Sequence, residues 1–393
     1  MRNGKIMIRV NPEEHTIIEQ AAGKQGVPTA SWARSQLLNS ARRNIHGEST
    51  LKNQSSKSGK SSLSLLSLFC GPGGLDEGFR RAGFNTKIAF DIDKACVSTF
   101  NRNHAKGDPI AFVRDLSKIT LKEIKELAGP DFSPIGVIGG PPCQSFSVSN
   151  VHQSEEDPRH KLPEVYAELL NKLNKAGTIS FFLFENVPGL LGERHIHRYN
   201  KFKELFTKAG FEVHEKSLNA MNYNVPQDRE RIFIVGINKK LHPNAVWNWP
   251  KAFKKIYTVR ETIESLPDPV FNEKGRDPST IPFHPNHWCM VPRSQKFQTP
   301  GALVEGQAWG RSFRTLQWDS PSWTVAYGNR EVHVHPNGNR RLSIYEAMLL
   351  QSFPPEYVLE GNISAQVRLV SEAVAPNMAF YLAKAIKAAL SFK

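Results

Sequence analysis

From residue 63 onward, short apolar runs recur at 63–69, 86–90, 136–138, 180–184 and 231–236, with stretches of helical spacing between them. The runs are mostly continuous apolar residues rather than a strict alternation with polar ones, which suits strands covered on both faces. Strands separated by helices join in parallel, because a parallel neighbour is reached only through a crossover. The expected fold is therefore α/β, a doubly wound and mostly parallel sheet of Rossmann-like type. The rhythm fails over residues 240–335, which are rich in Pro, Trp, His and Asn. That segment reads as a smaller, irregular inserted domain. Alternation returns in residues 336–393, from Arg340-Arg341-Leu342-Ser343-Ile344 to a closing helix at 376–390. The sheet domain is then 64–239 together with 336–393.

Residues 1–46 form a separate pattern. Ile6, Ile8 and Val10 share one face of an alternating run, and Lys5, Met7 and Arg9 share the other. Asn11-Pro12-Glu13-Glu14 reads as a capped helix start, and Gly26-Val27-Pro28 separates that helix from a second one. One strand and two helices cannot bury a stable core alone, so the unit is expected to dimerise. It resembles the ribbon-helix-helix DNA-binding proteins, in which two strands pair and enter the major groove. The resemblance implies that Lys5, Met7 and Arg9 face the bases. Residues 47–63 are Ser/Lys-rich and read as a flexible linker.

Charge points to a polyanion partner. The chain of 393 residues carries +14, and residues 1–62 hold ten Lys/Arg against four Asp/Glu, or +6. No apolar run approaches the roughly 18 residues needed to cross a bilayer, and no secretory segment opens the sequence. Cys70, Cys96, Cys143 and Cys289 have no paired spacing, which fits reduced thiols in a cytoplasmic protein.

Three strand ends offer polar groups to a ligand. The run 65–69 leads into Cys70-Gly71-Pro72-Gly73-Gly74, a turn whose glycines let backbone approach a ligand at a helix N-terminus. The second strand ends at Phe90-Asp91-Ile92-Asp93, where an acid suits a ribose diol, and the third ends at Asp115. Together they outline a slot for a nucleoside, and NAD fits that outline too. Later strand ends carry reacting groups. Gly139-Gly140-Pro141-Pro142-Cys143-Gln144 holds a cysteine stiffly at the mouth of the sheet, followed by Phe184-Glu185-Asn186 and Gln227-Asp228-Arg229-Glu230-Arg231. A thiolate, a carboxyl and guanidinium groups are what a soft nucleophile attacking a polarised heterocycle requires.

In this order, the motifs from 64 to 393 resemble the DNA (cytosine-5)-methyltransferase family, up to Glu346 and Gln351-Ser352-Phe353-Pro354. The resemblance implies S-adenosylmethionine as methyl donor, no metal, and a cytosine flipped out of duplex DNA. It implies that Cys143 adds to ring carbon 6, Glu185 protonates ring nitrogen 3, and Arg231 holds the 2-carbonyl oxygen with Arg229 beside it. The cofactor contacts it carries over are Phe69, Gly71, Gly74, Asp91, Ile92, Asp115 and Pro142. Residues 148–162, with Arg159, match a mobile loop that closes over flipped DNA. Residues 240–335 become the target-recognition domain. One departure stands out: where the family has Gly-Asn-Ala/Ser-Val, this chain has Ser371-Glu372-Ala373-Val374.

His284, His287 and Cys289 lie close enough to suggest a metal, but no partner pair follows at finger spacing. Trp288, Trp309, Trp318 and Trp323 are expected in the core of the inserted domain. The expected setting is the prokaryotic cytoplasm at the nucleoid, with a companion restriction endonuclease as a separate protein. The alternatives are a transcriptional regulator that needs no catalysis, acting through residues 1–46, and an RNA cytosine methyltransferase.

Overall fold

The computed structural model describes residues 63–142, 161–176, 179–310, 312–324 and 332–392, together with His15, Thr16 and Glu19. Lys5, Met7, Arg9, Cys143 and Arg159 lie outside the described residues, as do the linker before residue 63 and most of the 148–162 loop. The chain divides into two compact units, residues 61–272 with 288–393, and residues 1–60 with 273–287. In the latter, Arg276 pairs with Glu273 at 2.6 Å, and Asp277 caps a single 3-10 turn, Pro278–Thr280.

The larger unit is built on β1 (Ser64–Leu68), β2 (Asn85–Asp91), β3 (Ala111–Val113), β4 (Gly136–Gly139), β5 (Phe181–Asn186), β6 (Glu212–Asn219), β7 (Gln227–Asp228) and β8 (Glu230–Ile237). Seven of these strands form one sheet in the order β3-β2-β1-β4-β5-β8-β6. Pairing is parallel from β3 to β5, whereas β8 runs antiparallel to both β5 and β6. The order turns back at β1, so a crevice opens beyond the carboxyl ends of β1 and β4, where such sheets bind ligands.

Strand periodicity explains the two-sided cover. Phe182 and Phe184 of β5 enter one core with Ile232 and Ile234 of β8, while Phe181, Leu183, Phe233 and Val235 enter the other. The helices are α1 (Gly74–Arg81), α2 (Lys94–His104), α3 (Leu121–Ala128), α4 (Leu162–Ala176), α5 (Ile196–Lys208), α6 (Val259–Ile263), α7 (Ile344–Leu350), α8 (Ile363–Glu372) and α9 (Pro376–Ala389). Residues of α3, α4 and α5 fill the first core, and residues of α1 and α9 fill the second. No helix among the described residues is long and apolar enough to cross a membrane.

The two helices of the second core approach closely at Gly78. A Cβ there would lie 2.4 Å from the Ala379 Cβ and 2.5 Å from the Phe380 nitrogen. Gly78→Ala is therefore expected to destabilise the fold by about 1 to 3 kcal/mol, despite alanine's better helix propensity. Urea unfolding checks this, and an unchanged midpoint would sink it.

The irregular segment contributes only two-residue strands: β9 (Val270–Phe271), β10 (Trp288–Cys289), β11 (Ala308–Trp309), β12 (Phe313–Arg314) and β13 (Ser322–Trp323). Of the four tryptophans expected in a core, Trp288 is buried, whereas Trp309 is 53 % exposed. Trp318 and Trp323 are half-buried. The reason is local. Trp309 sits on an isolated two-stranded ladder with β12, and the Lys296 ammonium, 4.9 Å from its ring centre, lies over it.

Candidate active site

The glycine turn after β1 is held from several sides. Phe69 itself adopts φ +53°, a left-handed conformation that costs a non-glycine residue about 1–2 kcal/mol. The Tyr357 hydroxyl donates to the Pro72 carbonyl, and the Gly73 N–H bonds to the Cys70 carbonyl. At Gly71, with φ +54°, a Cβ would meet nothing within 4 Å, so the backbone there faces open space.

Asp91, at the end of β2, accepts from the backbone N–H groups of Gly71 and Asp93, each at 2.9 Å. Burial raises its carboxyl, and these N–H donors oppose that rise. A carboxylate has about four acceptor positions, which leaves capacity for a ligand hydroxyl. Ile92 follows it and is 69 % exposed, an apolar side chain left uncovered at the crevice edge. Asp115 follows the neighbouring strand β3, two residues past Val113, which pairs with Asp91, and sits in a capped turn. It accepts from the Ser117 backbone and hydroxyl, and these bonds hold its carboxyl below the usual range.

A narrow, open cleft with about 40 Å³ of room joins this turn to the reacting end of the sheet. Phe69, Gly71, Gly74, Gly140, Glu185 and Glu372 are among the residues that line it. Pro142 is the last described residue before Cys143. Gly140 is required by proximity, because a Cβ on it would lie 2.7 Å from Glu185 Oε2.

Glu185 is 8 % exposed, and its Oε1 stands 3.1 Å from Arg231 Nε. Sequence reading treats 227–231 as the end of a strand, but these residues precede and begin β8. Because β8 runs antiparallel to β5, its beginning lies beside the end of β5, with Ile232 opposite Asn186. The reversal brings arginine and glutamate together. Burial pushes the Glu185 carboxyl up, and the charges of Arg231 and Arg229 pull it partway back.

Arg229 turns elsewhere. It is 1 % exposed, and its Nη2 donates to the carbonyls of Ser371 and Ala373, both at 2.9 Å. The Gln351 amide also donates to the Ala373 carbonyl, at 2.6 Å. Arg229 and Gln351 thus brace the segment 371–374 rather than face the cleft with Arg231. Arg340 and Glu346 form a buried bidentate pair at 2.9 and 2.8 Å, which fixes the start of α7.

Asp76 escapes a reading by motif. It is buried at the start of α1 and accepts from the hydroxyls of Ser67 at 2.9 Å and Thr86 at 2.8 Å, tying β1 to β2 beneath the cleft. Only its acid type in a first helical turn is visible in the sequence. Burial raises its carboxyl to about 6, against the two hydroxyl bonds. The folded state then binds this proton more tightly than the unfolded chain, so the group's contribution is full below pH ~4 and is lost as pH rises to ~6. Asp76→Asn is expected to remove about 2 kcal/mol from the fall in stability between pH 4 and pH 7. Unfolding curves at both pH values read the difference, and an identical slope in both proteins excludes it.

Among the described residues, no group of three or more His, Cys, Asp or Glu side chains is placed to hold a metal ion.

Residues 63–388 match a family model described as C-5 cytosine-specific DNA methylase. The type II methyltransferase M.MthTI of Methanothermobacter thermautotrophicus is 33 % identical over 347 residues, covering 83 % of this chain and 97 % of that protein. The type II methyltransferase M.FnuDI of Fusobacterium nucleatum is 31 % identical, covering 84 % and 96 %. A solved structure of a prophage-encoded protein of Escherichia coli matches the fold with TM-score 0.68 at 24 % identity, covering 84 % of this chain and all of that one.

Proposed function

The chain belongs to the C-5 cytosine-specific DNA methylase family, and we propose that it acts through covalent addition of Cys143 to the target ring, assisted by Glu185 and Arg231. It is a DNA (cytosine-5-)-methyltransferase that uses S-adenosylmethionine. The observation that carries the residue assignment is the buried pair of Glu185 and Arg231, 3.1 Å apart, against Gly140 of the Pro-Pro-Cys turn.

The cleft suits the donor. Gly71 presents open backbone, Asp91 keeps acceptor capacity for a ribose hydroxyl, and Ile92 offers an apolar surface to a base. Phe69 and Gly74 shape its walls, and Pro142 and Asp115 are assigned to its edges. Bound S-adenosylmethionine supplies a methyl group on a sulfonium, an electrophile that needs no metal to activate it.

Cys143 Sγ bonds to carbon 6 of the flipped cytosine, as a thiolate. Glu185 gives its proton to ring nitrogen 3, which turns the ring into an enamine, nucleophilic at carbon 5. Arg231 donates to the 2-carbonyl oxygen, where charge develops. Carbon 5 takes the methyl group and then loses its proton to water, the electrons of that C–H bond expel the Cys143 thiolate, and nitrogen 3 returns its proton to Glu185. Arg229 serves as a positioning residue, through the carbonyls of Ser371 and Ala373. Residues 148–162, with Arg159, close over the DNA and exclude water.

Residues 240–335 read the target site, supported by the pairing of β13 with β7 next to Arg229. Residues 1–46 form a ribbon-helix-helix dimer that contacts DNA through Lys5, Met7 and Arg9 and represses the protein's own operon. The type II designation of the relatives supports a companion endonuclease acting separately on the same site, at the nucleoid. Bisulfite sequencing of a host carrying the gene is expected to show one short methylated site, and no new methylation overturns the reading. Deleting residues 1–46 is expected to halve the particle mass and abolish operator binding. An unchanged mass would sink the dimer.

A further inference from the structure

Glu372 occupies a place where its charge has consequences for ligand choice. It lines the same cleft as Glu185 and Gly140, as the last residue of α8. Its backbone is fixed on both sides, since Arg229 holds the carbonyls of Ser371 and Ala373 at 2.9 Å. A Cβ on Gly74 would lie 2.2 Å from the Val374 carbonyl oxygen, so this segment sits directly on the start of α1. The carboxylate is therefore held in the cleft wall and not on a loose loop. Its nearest cation, Arg368, is engaged twice. One guanidinium nitrogen is 2.6 Å from Asp93 Oδ2, and another is 3.7 Å from Glu372 Oε2. The closer contact belongs to Asp93.

We propose that Glu372 makes the cleft selective for the charge of its ligand, holding the cationic sulfonium donor more tightly than the neutral thioether left after methyl transfer. This rests on the reading of the cleft as the S-adenosylmethionine site. The transferred methyl must reach a ring whose nitrogen 3 meets Glu185, so the sulfonium belongs in the cleft that Glu185 and Glu372 both line. Donor and product carry the same ammonium, carboxylate and nucleoside groups. They differ by one positive charge at sulfur, and a nearby carboxylate in a partly dry cleft discriminates on that charge. The consequence is easier product release, with weaker inhibition by S-adenosylhomocysteine.

The test is isothermal titration of the full chain with S-adenosylmethionine, S-adenosylhomocysteine and sinefungin, whose protonated amine replaces the methylsulfonium. Glu372→Gln and Glu372→Asn are expected to weaken S-adenosylmethionine and sinefungin about tenfold, while S-adenosylhomocysteine changes less than twofold. The retained product affinity shows that the variant cleft is folded. Equal losses for all three ligands, or no loss for any, overturn the selectivity while leaving the cleft assignment standing. Failure of the unaltered protein to bind any of the three overturns the cleft assignment itself.

Discussion

Cys143→Ser is expected to lower methyl transfer at least about a thousandfold while leaving donor binding within about twofold. The serine hydroxyl ionises far less readily than a thiol and is a much weaker nucleophile toward carbon 6. The ring without its adduct is not an enamine, so carbon 5 has no electrons to offer. Tritiated methyl transfer to a duplex carrying the bisulfite-mapped site measures the loss. A second readout separates chemistry from folding. A duplex with 5-fluorocytosine at the target cannot lose the carbon-5 substituent as a proton, so the adduct persists. It is expected as a band stable to denaturing electrophoresis with Cys143, and as no band with serine. Residual activity above a tenth would remove Cys143 from its assigned role.

Glu185→Gln is expected to slow turnover about a hundred- to ten-thousandfold, because an amide keeps the shape but has no proton to give nitrogen 3. In the proposed mechanism the acid form is the working form. Burial raises the Glu185 carboxyl, which keeps that form present at higher pH than for an exposed glutamate, and Arg231 and Arg229 limit the rise. Activity should therefore fall on the alkaline side as Glu185 loses its proton. Arg229→Met removes one opposing charge, so the alkaline limb should move to higher pH. Steady-state rates across pH read this shift directly. A limb that stays put, or moves down, would show that another group governs it.

Much of this site is legible in residue order because strand ends and their turns are local. The run 65–69, the glycines at 71, 73 and 74, and the Asp91-Ile92 pair each declare a strand, a turn and a ligand-facing end without reference to distant residues. What could not be read was direction. Nothing in Arg231-Ile232-Phe233-Ile234-Val235 distinguishes a parallel strand from an antiparallel one, since both faces are buried either way. β6 was equally silent, because Glu212–Asn219 lies at the sheet edge with a mostly half-exposed pattern and lacks the continuous apolar signal. Arg229 and Arg231 look equivalent in sequence, two positions apart on one strand-like run. Their separation into a brace and a site residue comes from a partner more than a hundred residues away. Trp309 was misplaced for a similar reason, since composition says nothing about which tryptophan lands on a ladder too short to cover it.

The contact between α1 and α9 joins residues 296 positions apart, as in the bond from Arg81 to Asn377. During translation, α1 leaves the ribosome long before α9 exists. At roughly 5–20 residues per second, the interval is about 15–60 s. Leu75 and Phe79 spend it without their final cover, at a time when the strands between are already able to collapse. Nascent chains are thus exposed to chaperones and to one another for most of their synthesis, and the yield of active protein should respond to translation speed more than its equilibrium stability would suggest.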